Sequence, residues 1–336
     1  MTNPLALTMG EPSGIGPDLV ISAWKNRRTL DLPPFAVFGC ARTLSLRATT
    51  LGVDLPLRVI SGETLADNSA SEEMIVVDTS ATEPDCCGVL NPANGEAVIS
   101  CIQSAVSAVF DGFCEGIVTN PIHKKNLYDT GFAFPGHTEF LGELAKQHTG
   151  QAVTPVMLIA SDILSTVPVT IHIPVADVPK ALTKDLILDT IRICNSDFKK
   201  RFGIATPRIA VAGLNPHAGE DGSMGLEDRD IIAPALTELK AEGIDVVGPL
   251  PADTMFHPRA RANYDVAVCM YHDQALIPAK TLAFDEGVNV TLGLPFVRTS
   301  PDHGTALDIA GKGIARADSL ISAIRLASKM TTGKNL

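Results

Sequence analysis

The sequence predicts an α/β protein in which mostly parallel strands are covered by helices. Short apolar, β-branched segments alternate along the chain with segments whose apolar residues recur at helical spacing, a pattern typical of such sheets. The chain has 336 residues, which is enough to bury two cores rather than one. We therefore expect two α/β/α lobes with a cleft between them.

The first half of the chain supplies the clearest alternation. A strand at 5–8 leads through a glycine-rich turn into a helix that Pro17 opens at its first position. Further strands are expected at 35–38, 75–77 and 117–119. A helix is expected over 93–110, where Val98, Ile102, Ala105 and Val109 share one face.

The second half begins with a predicted hairpin, in which two apolar segments within 156–173 flank Ser161 and Asp162. Thr183 is placed to cap a helix that Gly203 ends. Other strands are expected at 208–214, 244–247, 264–270, 288–292 and 296–299, and other helices at 227–241 and 319–330. Without a visible linker, we divide the chain into a first lobe of 1–135 with 305–336 and a second lobe of 136–304.

Composition argues against nucleic-acid and membrane partners. The net charge is −11, with one Trp and three Tyr, so neither a basic surface for phosphates nor an aromatic platform for bases is expected. No run of about 18 apolar residues occurs, and the first residues lack the features of a signal peptide. Seven cysteines without a CxxC pair fit a reducing cytoplasm. Adjacent Cys86 and Cys87 are interpreted as loop residues, with a redox pair as the alternative.

Three histidines occupy equivalent positions in the predicted fold. His172, His217 and His272 each follow a predicted strand at its carboxyl end, where open α/β sheets bind their ligands. One such histidine is more often a hydrogen-bonded loop residue, but three of them can converge on a metal. Their spacing matches no compact zinc signature. Three neutral imidazoles suit zinc, cobalt or nickel, and suit magnesium less well.

A second group of residues suggests an anion-binding site. Lys280, Arg298 and the pair His137 and Thr138 lie in segments rich in Pro and Gly rather than on polar helix faces. Arg offers a planar fork to phosphate or carboxylate, and Thr138 lies at a predicted helix start, where free N–H groups also favour an anion. Ordinary surface charge is an equally weighted alternative.

The glycine-rich turn MGEPSGIGP at 9–17 lies between a predicted strand and a predicted helix, as a phosphate-cradling loop does. It has neither the GxGxxG pattern nor the GK[ST] of a P-loop. It is interpreted either as a loop that approaches a ligand closely or as a tight turn. Any nicotinamide cofactor therefore needs a site other than the usual fingerprint.

Six blocks of unusual composition occur in order along nearly the whole chain. They are MGEPSGIGP at 9–17, TNPIHK at 119–124, PGHTE at 135–139, LNPHAGE at 214–220, MYHDQ at 270–274 and TSPDHGTA at 299–306. Together they resemble the 4-hydroxythreonine-4-phosphate dehydrogenase family of vitamin B6 biosynthesis. Glu11 and Ser13 depart from the Asp and Ala common in the family, and Asn120 stands where some members carry Ala.

The resemblance implies a fold similar to the isocitrate and isopropylmalate dehydrogenases and a homodimer that shares its active sites. It implies a divalent metal (zinc, cobalt or magnesium) held by His172, His217 and His272, with His272 supplied by the partner chain. The substrate-binding residues that it implies are His137, Thr138, Lys280, Asn289 and Arg298. The nicotinamide contacts, and the choice of NAD over NADP, remain open.

The reaction implied is the oxidation of 4-phosphohydroxy-L-threonine with NAD to a β-keto acid, which loses carbon dioxide to give 3-amino-2-oxopropyl phosphate on the way to pyridoxal phosphate. A phosphorylated threonate-type sugar acid is the alternative substrate. Asp253 and Asp273 are candidates for removing the hydroxyl proton, although either could instead orient a metal-bound imidazole. A non-catalytic metal- or phosphate-binding protein is the alternative of another class, and the retention of both residue sets argues against it.

Overall fold

The computed structural model describes residues 3–60, 65, 71–79, 87–128, 130–134 and 136–333. Contacts divide the chain into two compact units. Unit 1 combines Met1–Pro155 with Leu294–Thr331, and unit 2 is built on Val156–Gly293. The boundaries expected from the sequence lie elsewhere, because the segments 136–155 and 294–304 pack within unit 1 rather than in the second lobe.

Unit 1 contains a parallel sheet of six strands. They are β1 (Leu5–Thr8), β2 (Phe35–Gly39), β3 (Leu57–Ile60), β4 (Met74–Asp78), β5 (Gly116–Thr119) and β12 (Val297–Pro301), in the order β3-β4-β2-β1-β5-β12. Every pair in this order is parallel. β1, β2 and β5 are buried along their whole length, which explains why they read as continuous apolar segments. β3 was not predicted; its four residues are half-buried or exposed.

The helices of unit 1 cover this sheet. They are α1 (Gly16–Asn26), α2 (Ala41–Thr50), α3 (Gly95–Phe110), the short α4 (Lys124–Tyr128), α5 (His137–Thr149) and α11 (Asp318–Thr332). Val98, Ile102 and Ala105 of α3 are buried in the core that also receives Phe140 and Leu144 of α5, which confirms the predicted apolar face of α3. Pro lies in the first turn of α1, as expected.

Unit 2 contains a mixed sheet. Its strands are β6 (Val156–Ala160), β7 (Thr166–Thr170), β8 (Ile209–Ala212), β9 (Val246–Leu250), β10 (Val266–Tyr271) and β11 (Val288–Leu292), in the order β11-β6-β7-β10-β8-β9. β7, β10, β8 and β9 run parallel, whereas β6 is antiparallel to both β7 and β11. The predicted hairpin is therefore confirmed. In its turn, the Ser161 hydroxyl donates a hydrogen bond to the carbonyl oxygen of Leu164.

The helices of unit 2 are α6 (Val178–Ala181), α7 (Lys184–Arg201), α8 (Ala233–Ala241), α9 (Pro258–Arg261) and α10 (His272–Leu282). The Thr183 hydroxyl accepts a bond from the Leu186 N–H at 3.2 Å, so the predicted cap of α7 is confirmed. A π-helical turn, Asp228–Ile232, precedes α8. α10 was not predicted, and it carries Pro278 within its length. Among the described residues, no helix combines the length and apolarity needed to span a membrane.

A buried ion pair fixes the glycine-rich turn of unit 1. Arg47 and Asp18 form it, and their side chains are 0% and 4% exposed. Arg47 also donates to the carbonyl oxygens of Pro12 and Gly14 at 2.9 and 2.8 Å, and Asp18 accepts from the Gly311 N–H at 2.8 Å. The pair therefore ties the turn to α2 and to the carboxyl-terminal segment.

Removing the charge of Asp18 is expected to destabilise the protein strongly. The Asp18→Asn variant leaves the Arg47 guanidinium buried without its counter-ion, a change that costs about 3–5 kcal/mol in the free energy of unfolding. Urea unfolding followed by circular dichroism measures it. Asp318→Asn, which breaks the exposed pair of Asp318 with Arg316, is the matched control and should leave the midpoint unchanged. Equal midpoints for the two variants would contradict the expectation.

Candidate metal and substrate site

Three neighbouring strands of unit 2 end beside the three predicted metal ligands. In the parallel register, Thr170 of β7 lies opposite Tyr271 of β10, and Val211 of β8 lies opposite Val268 of β10. His172 follows Thr170 by two residues, His272 comes directly after Tyr271, and His217 follows the end of β8 in the next turn. The strand-end positions expected from the sequence are thus confirmed, while the ligand role stays a prediction.

Hydrogen bonds join the ends of these three strands. The amide of Gln274 donates to the carbonyl of Gly213 at 2.8 Å and accepts from the Met270 N–H at 2.7 Å. The Thr170 hydroxyl donates to the Met270 carbonyl at 2.7 Å. Sequence reasoning missed Gln274, although it lies in the block MYHDQ, because its role is to connect backbone groups. These bonds hold the segments before all three histidines in one register.

The turn that carries His217 has an unusual backbone. Five successive residues, His217 to Asp221, have φ between +39° and +78°, the left-handed region that residues other than Gly rarely adopt. His172 is also left-handed, with φ of 39°. The buried carboxylate of Asp228 anchors the turn, since it accepts from the backbone N–H groups of Leu214 and Asn215 at 2.8 and 3.1 Å. Strain of this kind is common at functional sites.

The imidazoles of His172 and His272 lie close together. Their ring centroids are 5.5 Å apart, with an angle of 42° between the planes. Nδ1 of His272 lies 2.8 Å from a carboxylate oxygen of Asp273, which leaves Nε2 as the nitrogen able to bind a metal. Asp273 therefore fits the orienting role better than that of a base. Asp253 is exposed on the turn Ala252–Thr254.

The imidazole nitrogens of these residues fit a transition-metal ion. Within the described ranges, no group of three or more His, Cys, Asp and Glu side chains is close enough to hold a metal. The structure thus brings two of the three predicted imidazoles together and does not show His217 joining them. The pair that lies together within one chain, His172 and His272, is the pair that the sequence analysis assigned to different chains.

A cluster of cationic side chains, those of Arg298 and Lys124, lies near His137 in unit 1. Arg298 of β12 is 3% exposed, and its Nε and Nη2 donate to the Thr119 hydroxyl at 3.1 and 2.7 Å. Burial lowers the pKa of Arg298 to about 10, so it remains a cation at neutral pH. His137 begins α5, and burial, followed by the charges of Arg298 and Lys124, holds its pKa well below its usual value. Nε2 of His137 is buried without a hydrogen-bond partner.

The predicted substrate-binding residues are divided between the two units. His137, Thr138 and Arg298 belong to unit 1, where Thr138 is the second residue of α5. Lys280 lies on α10 and Asn289 on β11, both in unit 2. The expectation that all five lie in the second lobe with the histidines is therefore corrected, because α5 packs on α3 and β12 pairs with β5.

Two glycines of the glycine-rich turn lie close to backbone oxygens. A Cβ on Gly16 would lie 2.2 Å from the Met9 carbonyl oxygen, and one on Gly14 would lie 2.8 Å from that of Thr305. The tight-turn interpretation therefore accounts for Gly16, whereas Gly14 is required by the close approach of the segment at Thr305. Glu11 of this turn is fully buried and accepts from the Ser13 N–H and from the side-chain amide of Asn126, both at 3.3 Å.

A cavity of about 310 Å³ in unit 1 is lined by residues that include Trp24, Arg27 and Phe35. It lies at the amino ends of β2 and β4, and none of the predicted site residues lines it.

Of the two adjacent cysteines, Cys86 lies outside the described residues. Cys87 is an exposed free cysteine.

The family model for pyridoxal phosphate biosynthetic protein PdxA matches residues 32–327. A 4-hydroxythreonine-4-phosphate dehydrogenase from Methylorubrum populi is 52% identical over 328 residues, covering 97% of this chain and 94% of the relative. A protein of the same name from Bradyrhizobium diazoefficiens is 52% identical over 339 residues, with 98% of each chain covered. The chain belongs to the PdxA family. The predicted family, α/β class and dehydrogenase activity are thereby confirmed, and a nicotinamide cofactor follows from that activity.

Solved structures of similar proteins agree with this assignment. The structure of 4-hydroxythreonine-4-phosphate dehydrogenase from Klebsiella pneumoniae superposes with a TM-score of 0.86 at 36% identity, covering 98% of both chains. A terephthalate 1,2-cis-dihydrodioldehydrogenase from Burkholderia xenovorans superposes with a TM-score of 0.66 at 28% identity and full coverage of both. A fold of this kind therefore serves dehydrogenases with different substrates.

Acid is expected to destabilise the protein through His137. Its pKa is lowered in the folded state, so the stability gained by keeping it neutral is complete above the unfolded value of about 6.5 and is lost as pH falls toward the folded value. Urea unfolding between pH 7.5 and 5 measures the slope. The His137→Gln variant should show a shallower loss over this range, and an unchanged slope would contradict the assignment. His257→Gln, at an exposed histidine, is the control.

Proposed function

We propose that this PdxA-family chain oxidises 4-phosphohydroxy-L-threonine with NAD to a β-keto acid that decarboxylates to 3-amino-2-oxopropyl phosphate, in pyridoxal phosphate biosynthesis. The identity of 52% to proteins of that name over nearly the full length carries this proposal. The histidines at three adjacent strand ends support it, because they would hold a divalent metal at the carboxyl edge of the sheet.

The metal-binding residues in this proposal are His172 and His217 of one chain and His272 of the other chain of a homodimer. A divalent metal held by these residues would supply Lewis-acid chemistry, lowering the pKa of the substrate hydroxyl and polarising the carbonyl that replaces it. Asp273 holds the His272 ring so that Nε2 is directed away from the carboxylate. The alternative arrangement is a site in which His172 and His272 of the same chain bind one metal. The distance of 5.5 Å between their ring centroids favours it.

The phosphate group of the substrate is bound by cations in this proposal. Arg298 supplies a fixed cation from unit 1, and His137, Thr138 and the free N–H groups of the first turn of α5 supply hydrogen-bonding groups. Lys280 and Asn289 are the further substrate residues that the family resemblance implies. Fixing the phosphate orients the secondary alcohol for hydride transfer to the nicotinamide. A fixed cation of this kind lowers KM more than it raises kcat, since it binds substrate and transition state alike.

A metal requirement is the first expected outcome. Chelation with EDTA should abolish NADH formation, and added zinc, cobalt or magnesium should restore it to different extents. His217→Ala should reduce kcat/KM by at least about 100-fold without changing the urea midpoint by much. His257→Ala is the matched control, at an exposed histidine outside the proposed ligands. Full activity of the natural protein in EDTA, together with full activity of the His217→Ala variant, would contradict the metal mechanism.

Mixing two inactive variants tests which chain supplies His272. If the site draws on both chains, a heterodimer of His172→Ala with His272→Ala has one intact site, so coexpression should restore roughly a quarter of the activity through random pairing. If each site lies within one chain, the mixture stays inactive. Size-exclusion chromatography with light scattering reports whether the dimer exists.

Substrate preference decides between the two proposed reactions. We expect kcat/KM for 4-phosphohydroxy-L-threonine to exceed that for 4-phosphothreonate by at least about 100-fold, because a site arranged for an ammonium group leaves polar groups unpaired with the hydroxyl analogue. NADH absorbance with each purified substrate measures the ratio. A preference for the threonate phosphate would assign the chain to the alternative reaction.

A further inference from the structure

The cationic cluster of unit 1 contains a residue that neither the sequence nor the family resemblance assigned. The ammonium group of Lys124, on α4, lies 3.5 Å from the position of a Cβ built on Gly136, the residue that precedes α5. No side chain caps α5 at Gly136. The Glu139 carboxylate, in the first turn of the same helix, lies 3.4 Å from that position. The lysine therefore lies at the amino end of a 13-residue helix, where the helix itself favours negative charge.

The charges of this lysine and of the buried guanidinium of Arg298 both act on the His137 imidazole. Its Nε2 is buried and has no hydrogen-bond partner, so an atom able to donate or accept remains unsatisfied beside two cations. The charged and titratable groups on the elements around His137 are His123, Lys124, Lys125 and Tyr128 on or next to α4, Arg298 on β12, Glu139, Glu143, Lys146 and His148 on α5, and Glu96 and Cys101 on α3. The charges that act on His137 are those of Arg298 and Lys124. Burial, followed by these two charges, keeps it neutral while no anion is bound.

We propose that Lys124 is a further phosphate-binding residue, and that His137 takes up one proton from solvent when the phosphate binds, so that it holds the ligand as an imidazolium. A dianion placed among Arg298, Lys124 and His137 reverses the field at the imidazole, which turns repulsion of the added proton into attraction. Nε2 then becomes a charged donor to a phosphate oxygen. The inference rests on the proposed function, because it concerns the same phosphate group.

Isothermal titration calorimetry with ethyl phosphate tests the inference on the full-length protein. At pH 8 this monoester is a dianion, since its second pKa is about 6, and it has no hydroxyl or amino group to exchange protons with a metal. Titrations in buffers of different ionisation enthalpy give the number of protons bound. We expect an uptake approaching one proton for the natural protein and none for His137→Gln.

Two lysine variants separate a specific contact from general charge. Lys124→Gln should weaken ethyl phosphate binding about tenfold, as the loss of one charge-assisted hydrogen bond does. Lys125→Gln, the neighbouring exposed lysine of the same short helix, removes the same charge and should leave Kd within about twofold. Equal losses for the two variants, or no proton uptake, would overturn the inference.

These results can be distinguished from a failure of the proposed function. If ethyl phosphate binds and Arg298→Gln weakens it, but proton uptake and the Lys124 effect are absent, the inference is wrong and the phosphate site stands. If ethyl phosphate does not bind and Arg298→Gln leaves the KM for the phosphorylated substrate unchanged, the phosphate site of the proposed function is itself wrong.

Discussion

The parallel pairing of β7, β10 and β8 is the constraint on which the candidate metal site depends. In a parallel sheet the carboxyl ends of neighbouring strands reach the same edge, so residues that are distant in sequence meet there without any local motif. His172 and His272 are 100 residues apart in the chain, yet their rings lie 5.5 Å from each other. The bond between Gln274 and Gly213 extends the same registration to the turn before His217.

Unit 1 meets a different physical requirement, since it buries the guanidinium of Arg298. Arg298 tolerates burial because a guanidinium loses its proton only at high pH, even when burial lowers its pKa to about 10. An imidazole responds to the same surroundings by remaining neutral, as His137 does. Arg298 thus carries a permanent charge, whereas His137 becomes charged only when an anion binds. Binding free energy and proton uptake are therefore linked in this site.

The sequence predicted most strands and the long helices because burial on one or both faces leaves a periodic apolar pattern. It also missed α2, which has buried residues at helical spacing, and it failed at β3 and α10, where that pattern is absent or interrupted. β3 has no buried residue, and α10 contains Pro278, which ordinarily ends a helix. The unit boundaries were misplaced because α5 packs into the core around α3, a contact that no linker or change of composition marks. Strand-end histidines could be recognised because chain order and sheet direction alone determine their position.

Supporting residues could not be found in this way, and Asp228 shows why. Its carboxylate bonds the backbone of Leu214 across 14 residues of sequence, so only the folded turn reveals the contact. That turn includes four non-glycine residues in left-handed conformation, each of which costs about 1–2 kcal/mol. A Cβ on Gly213 would lie 2.6 Å from the Asp228 carboxylate, so the anchor needs glycine there as well. The position of His217 is therefore fixed by strain and by a buried charge before any ligand binds, which is the arrangement that a preorganised site requires.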